Sequence, residues 1–382
     1  MKSISSDIII VGAGPAGLAI AGRLRKRGIK FTILDQSDQL ASAWHHHYDR
    51  LHLHTVKQWS HLPHLPFPDD YPLYVPRQKL VDYFEDYAKQ FSIRPVLNTQ
   101  VMSIKKADDF RWTILTKDHK IFSAKTVIIA TGVNRVPNQP QFAGQENFDG
   151  EINHSKSYKN TIPYKGQRVL VVGMGNTGAE IALDLSEHDI ETNVSVRGPV
   201  NIVPRDLNGR PVQITAKKLA KLPFGLGTWL GTQIRKVYIG DLSKYGIESP
   251  KMGPTKQLLE TGKTPIVDIG TVAAIKAEKI KVYPEIQNLS GNKVEFKDGR
   301  SLEIDSIILA TGYKPVIEEF IERGQDLLDT YGCPSPSIGT GFHQNLYFLG
   351  FDNYKLGGIL GIIMEESKLI ADHIEERLAI ST

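Results

Sequence analysis

Two glycine-rich turns carry the most recognisable chemistry in the sequence. The first covers residues 12–17 and the second covers residues 173–178. In each turn the first glycine permits a tight bend, the second lets a pyrophosphate approach the backbone, and the third lets a helix lie close to a strand. Free N–H groups at the start of the following helix then face the phosphates. The predicted contacts are Gly12, Gly14, Pro15, Ala16, Gly17, Gly173, Gly175, Asn176, Thr177 and Gly178.

The first turn lies inside a complete nucleotide-binding βαβ pattern. A short apolar strand over 7–11 precedes it, a helix over 18–27 follows it, and a second strand over 31–34 ends at Asp35. An acid at the end of that second strand can accept hydrogen bonds from a ribose. The pattern therefore predicts a dinucleotide site in which Asp35 contacts a ribose, and the adjacent Gln36 is a further predicted contact of the dinucleotide.

The second turn repeats the pattern with one informative change. A strand over 167–172 precedes it, a helix over 179–187 follows it, and the next strand, over 192–196, ends at Arg197 instead of an acid. An arginine at this position favours the 2′-phosphate of NADPH, whereas an acid favours the free hydroxyl of NADH. Arg205 is the next candidate for this role. The alternative interpretation is that Arg197 is a solvated charge at the end of a strand.

A third repeated feature indicates that two similar domains are nested. The apolar strands over 126–132 and 306–312 both end in Ala-Thr-Gly, and each follows alternating residues typical of a β-meander. The sequence predicts an α/β fold of two nested Rossmann-like dinucleotide-binding domains, three-layered, with parallel sheets and β-meander insertions. The predicted domains are a first FAD-binding part at 1–162, an inserted NADPH-binding domain at 163–313, and a return segment at 314–382. The strand ends add Thr131 and Gly132 to the first site and Thr311 and Gly312 to the second.

Composition excludes several other classes of protein. Hydrophobic residues make up 41% of the chain, charged residues 23%, and the net charge of +4 is dispersed, which argues against nucleic-acid binding. The single cysteine, Cys333, excludes a CxxC redox pair. No segment has the length and apolarity of a membrane span or a signal peptide. We therefore expect a cytoplasmic protein without nucleic-acid or membrane partners, and a homodimer is one possible assembly.

The segment between the two predicted domains adds a family resemblance. Residues 148–158 contain Phe148, Gly150, His154 and Tyr158 in the pattern FxGxxxHxxxY. This pattern resembles the identifying sequence of class B flavin-dependent monooxygenases, within the flavin-containing monooxygenase family. Further stretches are similar to the YUCCA-type indole-3-pyruvate monooxygenases of plants, in the same order along the chain: residues 48–54, 196–205, 262–270 and 308–313.

The resemblance implies an enzyme that uses FAD, NADPH and molecular oxygen. NADPH reduces the flavin, oxygen adds at the flavin C4a carbon, and the resulting (hydro)peroxyflavin oxygenates a small organic substrate. Either N- or S-oxygenation or the oxidative decarboxylation of a 2-oxo acid such as an arylpyruvate is compatible with this chemistry. The alternative hypothesis is an NADPH-dependent flavin reductase or electron-transfer flavoprotein that oxygenates nothing.

The resemblance also implies roles for individual side chains. His54 occupies the position at which animal-type enzymes carry an asparagine beside the oxygenated flavin, and Lys57 follows three residues later. His54, Lys57 and Asn176 are the predicted catalytic residues, and Trp44 and His54 are predicted to contact FAD. The residues predicted to form the surface against which NADP(H) moves are His154, Ser155 and Tyr158.

Histidines crowd the segment before residue 65. Seven of the twelve lie at positions 45, 46, 47, 52, 54, 61 and 64, which raises the alternative of a metal site. The segment lacks His-x-x-x-His helical pairs with nearby carboxylates, which a well-formed site would need. We therefore predict no metal.

Overall fold

The computed structural model describes residues 3–219, 222 and 226–380. Its α-helices are α1 Pro15–Lys26, α2 Ser42–His45, α3 Arg77–Gln90, α4 Asn176–Glu187, α5 Val212–Leu219, α6 Leu226–Ile239, α7 Pro254–Thr261, α8 Thr271–Lys276 and α9 Gly358–Ile380. Its strands are β1 Ile4–Val11, β2 Thr32–Leu34, β3 Val101–Lys106, β4 Trp112–Thr116, β5 Ile121–Ile129, β6 Val136–Pro137, β7 Glu151–His154, β8 Arg168–Val172, β9 Glu191–Ser195, β10 Ile202–Pro204, β11 Asp206–Leu207, β12 Arg210–Pro211, β13 Ile266–Asp268, β14 Ile280–Tyr283, β15 Ile286–Ser290, β16 Lys293–Phe296, β17 Ser301–Glu303, β18 Ser306–Leu309, β19 Tyr313–Lys314 and β20 Leu346–Phe348. Short 3-10 turns cover Lys57–Trp59, Gln145–Asn147, Ile162–Tyr164, Ser243–Tyr245, Ile317–Glu319, Gly324–Leu327 and Gly341–His343.

The chain divides into two compact units. The first comprises Met1–His46, Thr55–Val136 and Lys314–Thr382, and the second comprises His47–His54 and Pro137–Tyr313. These bounds differ from the predicted boundary at residue 162, because β7 pairs in parallel with β18 and so belongs to the second sheet. The assignment of FAD to 1–162 and 314–382, and of NADPH to 163–313, remains a prediction.

The first unit is built on a mixed sheet. Strands β2, β1 and β5 lie side by side in parallel, and β20 pairs in parallel with the last residues of β5. The first residues of β5 pair with the antiparallel strand β4, and β3 in turn pairs antiparallel with β4. The long strand β5 therefore joins the predicted meander to the parallel sheet. Ile8, Ile9 and Ile10 are almost fully buried, as expected for a strand covered on both faces.

The second unit repeats this plan in a fully parallel sheet. Its strand order is β14-β9-β8-β18-β7, and a separate antiparallel sheet of β15, β16 and β17 immediately precedes β18 in the chain. The two units thus share the order of strand, helix, strand, meander and Ala-Thr-Gly strand that the sequence predicts.

Both helices that follow the glycine turns begin earlier than predicted. Helix α1 starts at Pro15 rather than residue 18, and α4 starts at Asn176 rather than residue 179. Gly14 and Gly175 are the N-cap residues and have extended backbones. The last residues of each glycine turn therefore form the first turn of the helix. In α1 this fits the preference of proline for the first helical position.

Helix α9 packs along α1 in the first unit. Arg23 donates from Nε to the Ser367 hydroxyl at 3.0 Å, and Arg27 forms ion pairs with Asp372 and Glu375. The basic residues at the end of α1 therefore bind a neighbouring helix in addition to facing the negative end of their own dipole. Among the described residues, no helix is long and apolar enough to cross a membrane.

Candidate functional site

The first glycine of each turn has the same strained environment. Gly12 has φ +109° and Gly173 has φ +103°, backbone angles that L-residues with a side chain rarely adopt. A Cβ atom on Gly12 would lie 2.5 Å from the Ala130 carbonyl oxygen, and one on Gly173 would lie 2.6 Å from the Ala310 oxygen. Each turn is therefore packed directly against the Ala-Thr-Gly end of its own sheet.

The second and third glycines of each turn differ in their surroundings: the third is required for helix packing, and the second leaves space for a ligand. A Cβ on Gly17 would lie 1.9 Å from the Gly12 carbonyl oxygen, so this glycine is required for the helix to approach the strand. Gly178 repeats this contact with the Gly173 oxygen at 2.1 Å. By contrast, a Cβ on Gly14 would meet no heavy atom within 4 Å. The open side of the middle glycine fits a pyrophosphate in contact with the backbone.

The middle glycine of the second turn, Gly175, has the same open space within 4 Å. Asn176 and Thr177 form the first turn of α4 beside it. The Asn176 side chain is already engaged, because its Oδ1 accepts a 2.7 Å hydrogen bond from Val267 N–H and its Nδ2 donates to the Pro265 oxygen at 3.3 Å. Asn176 thus ties the helix start to β13, and its predicted catalytic role remains a prediction.

The two Ala-Thr-Gly ends differ in the hydrogen bonding of their threonine hydroxyls. Thr311 donates its hydroxyl to the Asn138 oxygen at 2.5 Å. The Thr131 hydroxyl is buried and has no hydrogen-bond partner among the described residues. A buried polar atom without a partner is costly, so this hydroxyl fits a hydrogen bond to a bound dinucleotide. Gly132 and Gly312 both have positive φ, +75° and +81°, and open space around them.

Asp35 holds the first turn to the end of β2. Its Oδ2 accepts a 2.5 Å hydrogen bond from Ala13 N–H, and its Oδ1 accepts one of 2.8 Å from Ser37 N–H. A carboxylate has about four acceptor positions, so these bonds leave capacity for a ribose. Gln36 is exposed beside it, and Trp44 is half-buried, with its ring edge-on to Phe84 at 5.9 Å.

The two remaining predicted catalytic residues belong to different compact units. Lys57 lies in the first unit, and its ammonium donates to the backbone oxygens of Asp69 and Tyr71 at 2.8 and 2.7 Å. His54 lies in the second unit, with Nε2 at 3.3 Å from Oε2 of Glu180. The structure therefore gives each of them a partner within its own unit.

His154 is held as a neutral imidazole. Its Nδ1 accepts a hydrogen bond from Lys156 N–H at 3.1 Å, so the proton is on Nε2, which donates to the Gly312 oxygen at 3.0 Å. Burial lowers the pKa of His154, which favours the same neutral form. Ser155 is buried, and its side chain hydrogen-bonds to Tyr313. These two residues thus fix the second Ala-Thr-Gly end.

Tyr158 contacts the face of α4 through an acid that the sequence did not single out. It is fully buried and donates its hydroxyl to Asp184 Oδ2 at 2.6 Å. Burial, followed by the hydrogen bond to Asp184, raises the pKa of Tyr158 well above its usual value, so the phenol remains a donor. Asp184 also binds Arg50, at 3.1 Å.

Two acids on α4 are the site residues that sequence reasoning missed. Glu180 and Asp184 are both buried, one helical turn apart, and face residues 47–54. The available signal was two acids at i and i+4 within the apolar run 179–185. A helix that packs on a parallel sheet seldom buries carboxylates unless they have partners.

The two arginines after β9 are placed differently. Arg197 is exposed, and no hydrogen bond or ion pair of its side chain is found among the described residues. Arg205 is half-buried and pairs with Asp206 at 3.0 Å. Arg197 is thus the more available of the two cations, and its contact with a 2′-phosphate remains a prediction.

No metal centre accompanies these residues in the described part of the chain. No group of three or more histidine, cysteine, aspartate or glutamate side chains is arranged to hold an ion there. Several of the crowded histidines have other contacts, such as His46 with the Ser42 oxygen and His52 with the Arg50 oxygen. A cavity of about 570 Å³ in the first unit is lined by Asp38, His45 and Arg94, and by none of the predicted site residues.

Comparison with known proteins decides the family. The sequence pattern of the flavin-binding monooxygenase-like family, FMO-like, matches residues 5–326. The chain belongs to this family. The expected class of flavin-dependent monooxygenase is thereby confirmed.

Relatives of this monooxygenase include plant enzymes of the YUCCA group. The probable indole-3-pyruvate monooxygenase YUCCA3 of Arabidopsis thaliana is 36% identical over 363 residues, covering 92% of this chain and 83% of the relative. The indole-3-pyruvate monooxygenase YUCCA1 of Oryza sativa subsp. japonica is 36% identical and covers 97% of this chain and 92% of the relative. The similarity thus extends across both compact units.

A solved bacterial structure shows the same fold. The flavin-containing monooxygenase from Stenotrophomonas maltophilia has a TM-score of 0.76 at 20% identity, with 98% of this chain and 99% of that chain covered. The two nested Rossmann-like domains predicted from the sequence are therefore confirmed. Together with the YUCCA relatives, this makes the protein an FAD-containing, NADPH- and oxygen-dependent monooxygenase of small organic substrates. The alternative of a flavin reductase has no support.

Proposed function

We propose that this monooxygenase converts an aromatic 2-oxo acid into the corresponding acetic acid by oxidative decarboxylation. The observation that carries the proposal is the 36% identity, along 92% of the chain, to a probable indole-3-pyruvate monooxygenase. The balanced reaction consumes one arylpyruvate, one O₂, one NADPH and one proton. It yields one arylacetate, one CO₂, one NADP⁺ and one water.

In this proposal FAD, when bound, accepts reducing equivalents from NADPH and passes them to oxygen, while the protein positions the reactants and excludes water. Gly14 and Thr131 bind the FAD pyrophosphate region, and Asp35 binds its ribose. Gly175 and Arg197 bind the pyrophosphate and the 2′-phosphate of NADPH. These roles are supported by the open side of each middle glycine and the unpartnered Thr131 hydroxyl.

We assign the remaining predicted residues the role of holding parts of the site in place. His154 and Ser155 hold the Gly312 end of the second site, and Tyr158 holds the last turn of α4 through Asp184. His54 lies on the 47–54 segment that the family resemblance connects with the flavin. A cytoplasmic location and a homodimeric assembly are also part of the proposal.

The test is a product assay with indole-3-pyruvate, NADPH and ¹⁸O₂. We expect indole-3-acetate with one ¹⁸O in its carboxylate and about one NADPH consumed per product. A panel of amines and thioethers serves as the comparison, because N- or S-oxygenation is the other chemistry open to the family. N- or S-oxides without any arylacetate would contradict the proposed substrate and leave the enzyme class unchanged.

A further inference from the structure

The second unit contains a buried carboxylate that none of the cofactor sites requires. Glu180 lies on α4, about one helical turn after the helix begins at Asn176, and is only 2% exposed. Transferring a carboxylate from water into a protein interior costs several kcal/mol unless charge and hydrogen bonds compensate. The groups that face it therefore decide what it does.

Two side chains of the 47–54 segment meet one oxygen of this carboxylate. The Tyr48 hydroxyl donates to Glu180 Oε2 at 2.7 Å, and His54 Nε2 lies 3.3 Å from the same oxygen. Among the described residues, the buried His54 Nε2 atom makes no hydrogen bond, and Glu180 lies within ion-pair distance of it. Burial, followed by the negative charge of Glu180, raises the pKa of Tyr48 well above its usual value. Tyr48 thus stays protonated and can hold the carboxylate only as a donor.

Other charged groups near this cluster are already paired. Arg50 binds Asp184 and Glu187 at 3.1 and 2.8 Å, and His188 lies 3.5 Å from Asp184. Tyr158 donates to the second oxygen of Asp184. Among the described residues, His54 therefore supplies the basic side chain within ion-pair distance of Glu180.

We propose that Glu180 is a positioning residue that orients the His54 imidazole through Nε2, with Tyr48 fixing the carboxylate. The proposal rests on the proposed function, in which His54 serves the reaction at the flavin. Nε2 faces Glu180, so Nδ1 is the ring nitrogen left for the reaction. The same helix then starts at the pyrophosphate turn and holds His54 from its second turn, which joins coenzyme binding to the placement of a reactive side chain.

The closing experiment combines three variants with a double-mutant cycle. Glu180→Gln removes the charge but keeps an oxygen to accept the Tyr48 hydrogen bond. Tyr48→Phe removes the donor, and Glu187→Gln is the matched control, because it is an exposed glutamate on the same helix that pairs with Arg50 and not with His54. His54→Ala supplies the second side of the cycle with Glu180→Gln.

The first readout is the fraction of consumed NADPH that appears as oxygenated product instead of hydrogen peroxide. We expect Glu180→Gln to lower this fraction about tenfold, the size expected for loss of a charge-assisted contact, and Tyr48→Phe to lower it less. Adding Glu180→Gln to His54→Ala should cause no further loss, and Glu187→Gln should match the wild type. An equal loss in the two backgrounds would show that Glu180 does not act through His54.

The second readout needs neither substrate nor coenzyme. In protein labelled with ¹⁵N-histidine, the His54 ring-nitrogen resonances, identified by their absence from His54→Ala, should move in Glu180→Gln and Tyr48→Phe but not in Glu187→Gln. Unmoved resonances in folded Glu180→Gln would overturn the proposal. If the wild type gives no arylacetate while these resonances move, the proposed substrate fails and the positioning role stands. Should Glu180→Gln not fold, Tyr48→Phe carries both readouts.

Discussion

Arg197 and Arg205 follow the same strand, but only one of them is already paired with an acid. Arg205 binds Asp206 at 3.0 Å, whereas Arg197 is exposed. A charge-assisted hydrogen bond from Arg197 to the 2′-phosphate is worth about 1.5–3 kcal/mol, or roughly tenfold to a hundredfold in affinity. We expect Arg197→Ala to raise the KM for NADPH by that factor and to leave the KM for NADH unchanged.

Steady-state kinetics with both coenzymes checks this prediction, and Arg205→Ala is the matched control. The control should change the NADPH to NADH preference much less, because its side chain already has a carboxylate partner. If Arg205→Ala instead removes the preference and Arg197→Ala does not, the phosphate is bound by Arg205.

Two glycines of the first βαβ element allow the stability of the fold and the affinity for FAD to be tested separately. In Gly17→Ala the new methyl would meet the Gly12 oxygen, so α1 must move away from β1. Such overpacking costs about 1–3 kcal/mol, and FAD would be lost with the displaced helix. In Gly14→Ala the methyl has free space, so the apoprotein should keep its stability within about 0.5 kcal/mol and lose only FAD affinity.

Urea unfolding of the apoproteins and FAD titration by fluorescence measure these two effects. The pair Gly175→Ala and Gly178→Ala should behave likewise toward NADP⁺, because a methyl on Gly178 would meet the Gly173 oxygen. A loss of apoprotein stability in Gly14→Ala equal to that in Gly17→Ala would contradict the assignment of the open side to a ligand.

An ion pair joins the first residue of β8 to the residue that precedes β18. Arg168 donates from Nε to Asp305 Oδ2 at 3.0 Å and forms an ion pair with Oδ1 at 2.7 Å. The side-chain and backbone hydrogen bonds from Arg168 lower the pKa of Asp305. A carboxyl whose pKa is lower in the folded state stabilises the fold above the unfolded-state pKa, and this contribution is lost as the pH falls through the folded-state pKa.

We expect Asp305→Asn to lower the free energy of unfolding at neutral pH by about 1 kcal/mol, a figure reduced for the solvent screening of this partly exposed pair. The difference between the variant and the wild type should begin to shrink below about pH 4, the ordinary carboxyl pKa, and should vanish once the pH is below the lowered folded-state pKa of Asp305. Urea unfolding over a pH series measures the difference. Parallel curves down to pH 2 would show that Asp305 does not contribute through its charge.

The molecule as a whole has two compact units, each with its own sheet and its own glycine turn. A ligand stabilises the part of the chain that it binds, by about 2.7 kcal/mol at a hundredfold excess over its Kd. We expect FAD to slow hydrogen exchange mainly in peptides that contain Gly14 and Thr131. NADP⁺ should slow it mainly in peptides that contain Gly175 and Gly312.

Hydrogen-exchange mass spectrometry of the apoprotein with each ligand in turn measures this division, and removal of FAD should reverse only the first effect. Protection of the same peptides by both ligands would contradict the assignment of one dinucleotide to each unit. The segment 47–54 is informative here, because its residues belong to the second unit although their neighbours in sequence belong to the first.

The sequence by itself determined the repeated architecture and the position of both glycine turns. Those features depend on local requirements, because a tight turn, a buried strand and a close helix each restrict residue type at fixed spacing. The glycine-turn pattern predicts later starts for α1 and α4 than the structure has, because the residues that close each turn also begin the helix. The pairing of β7 with β18 was also missed, because a sequence does not show which distant strand lies alongside another.

Only the tertiary structure decided which polar side chains meet. In the sequence, Glu180 and Asp184 are two acids in a predicted helix. The structure shows that Tyr48 and Tyr158 donate hydrogen bonds to them. The structure likewise gives His54 and Lys57 different surroundings. His54 faces Glu180, whereas the Lys57 ammonium binds two backbone oxygens. Tyr48 and His54 both lie more than a hundred positions from Glu180 in sequence. Such contacts depend on the packing of whole elements, whereas the glycine turns depend on the backbone of a few consecutive residues.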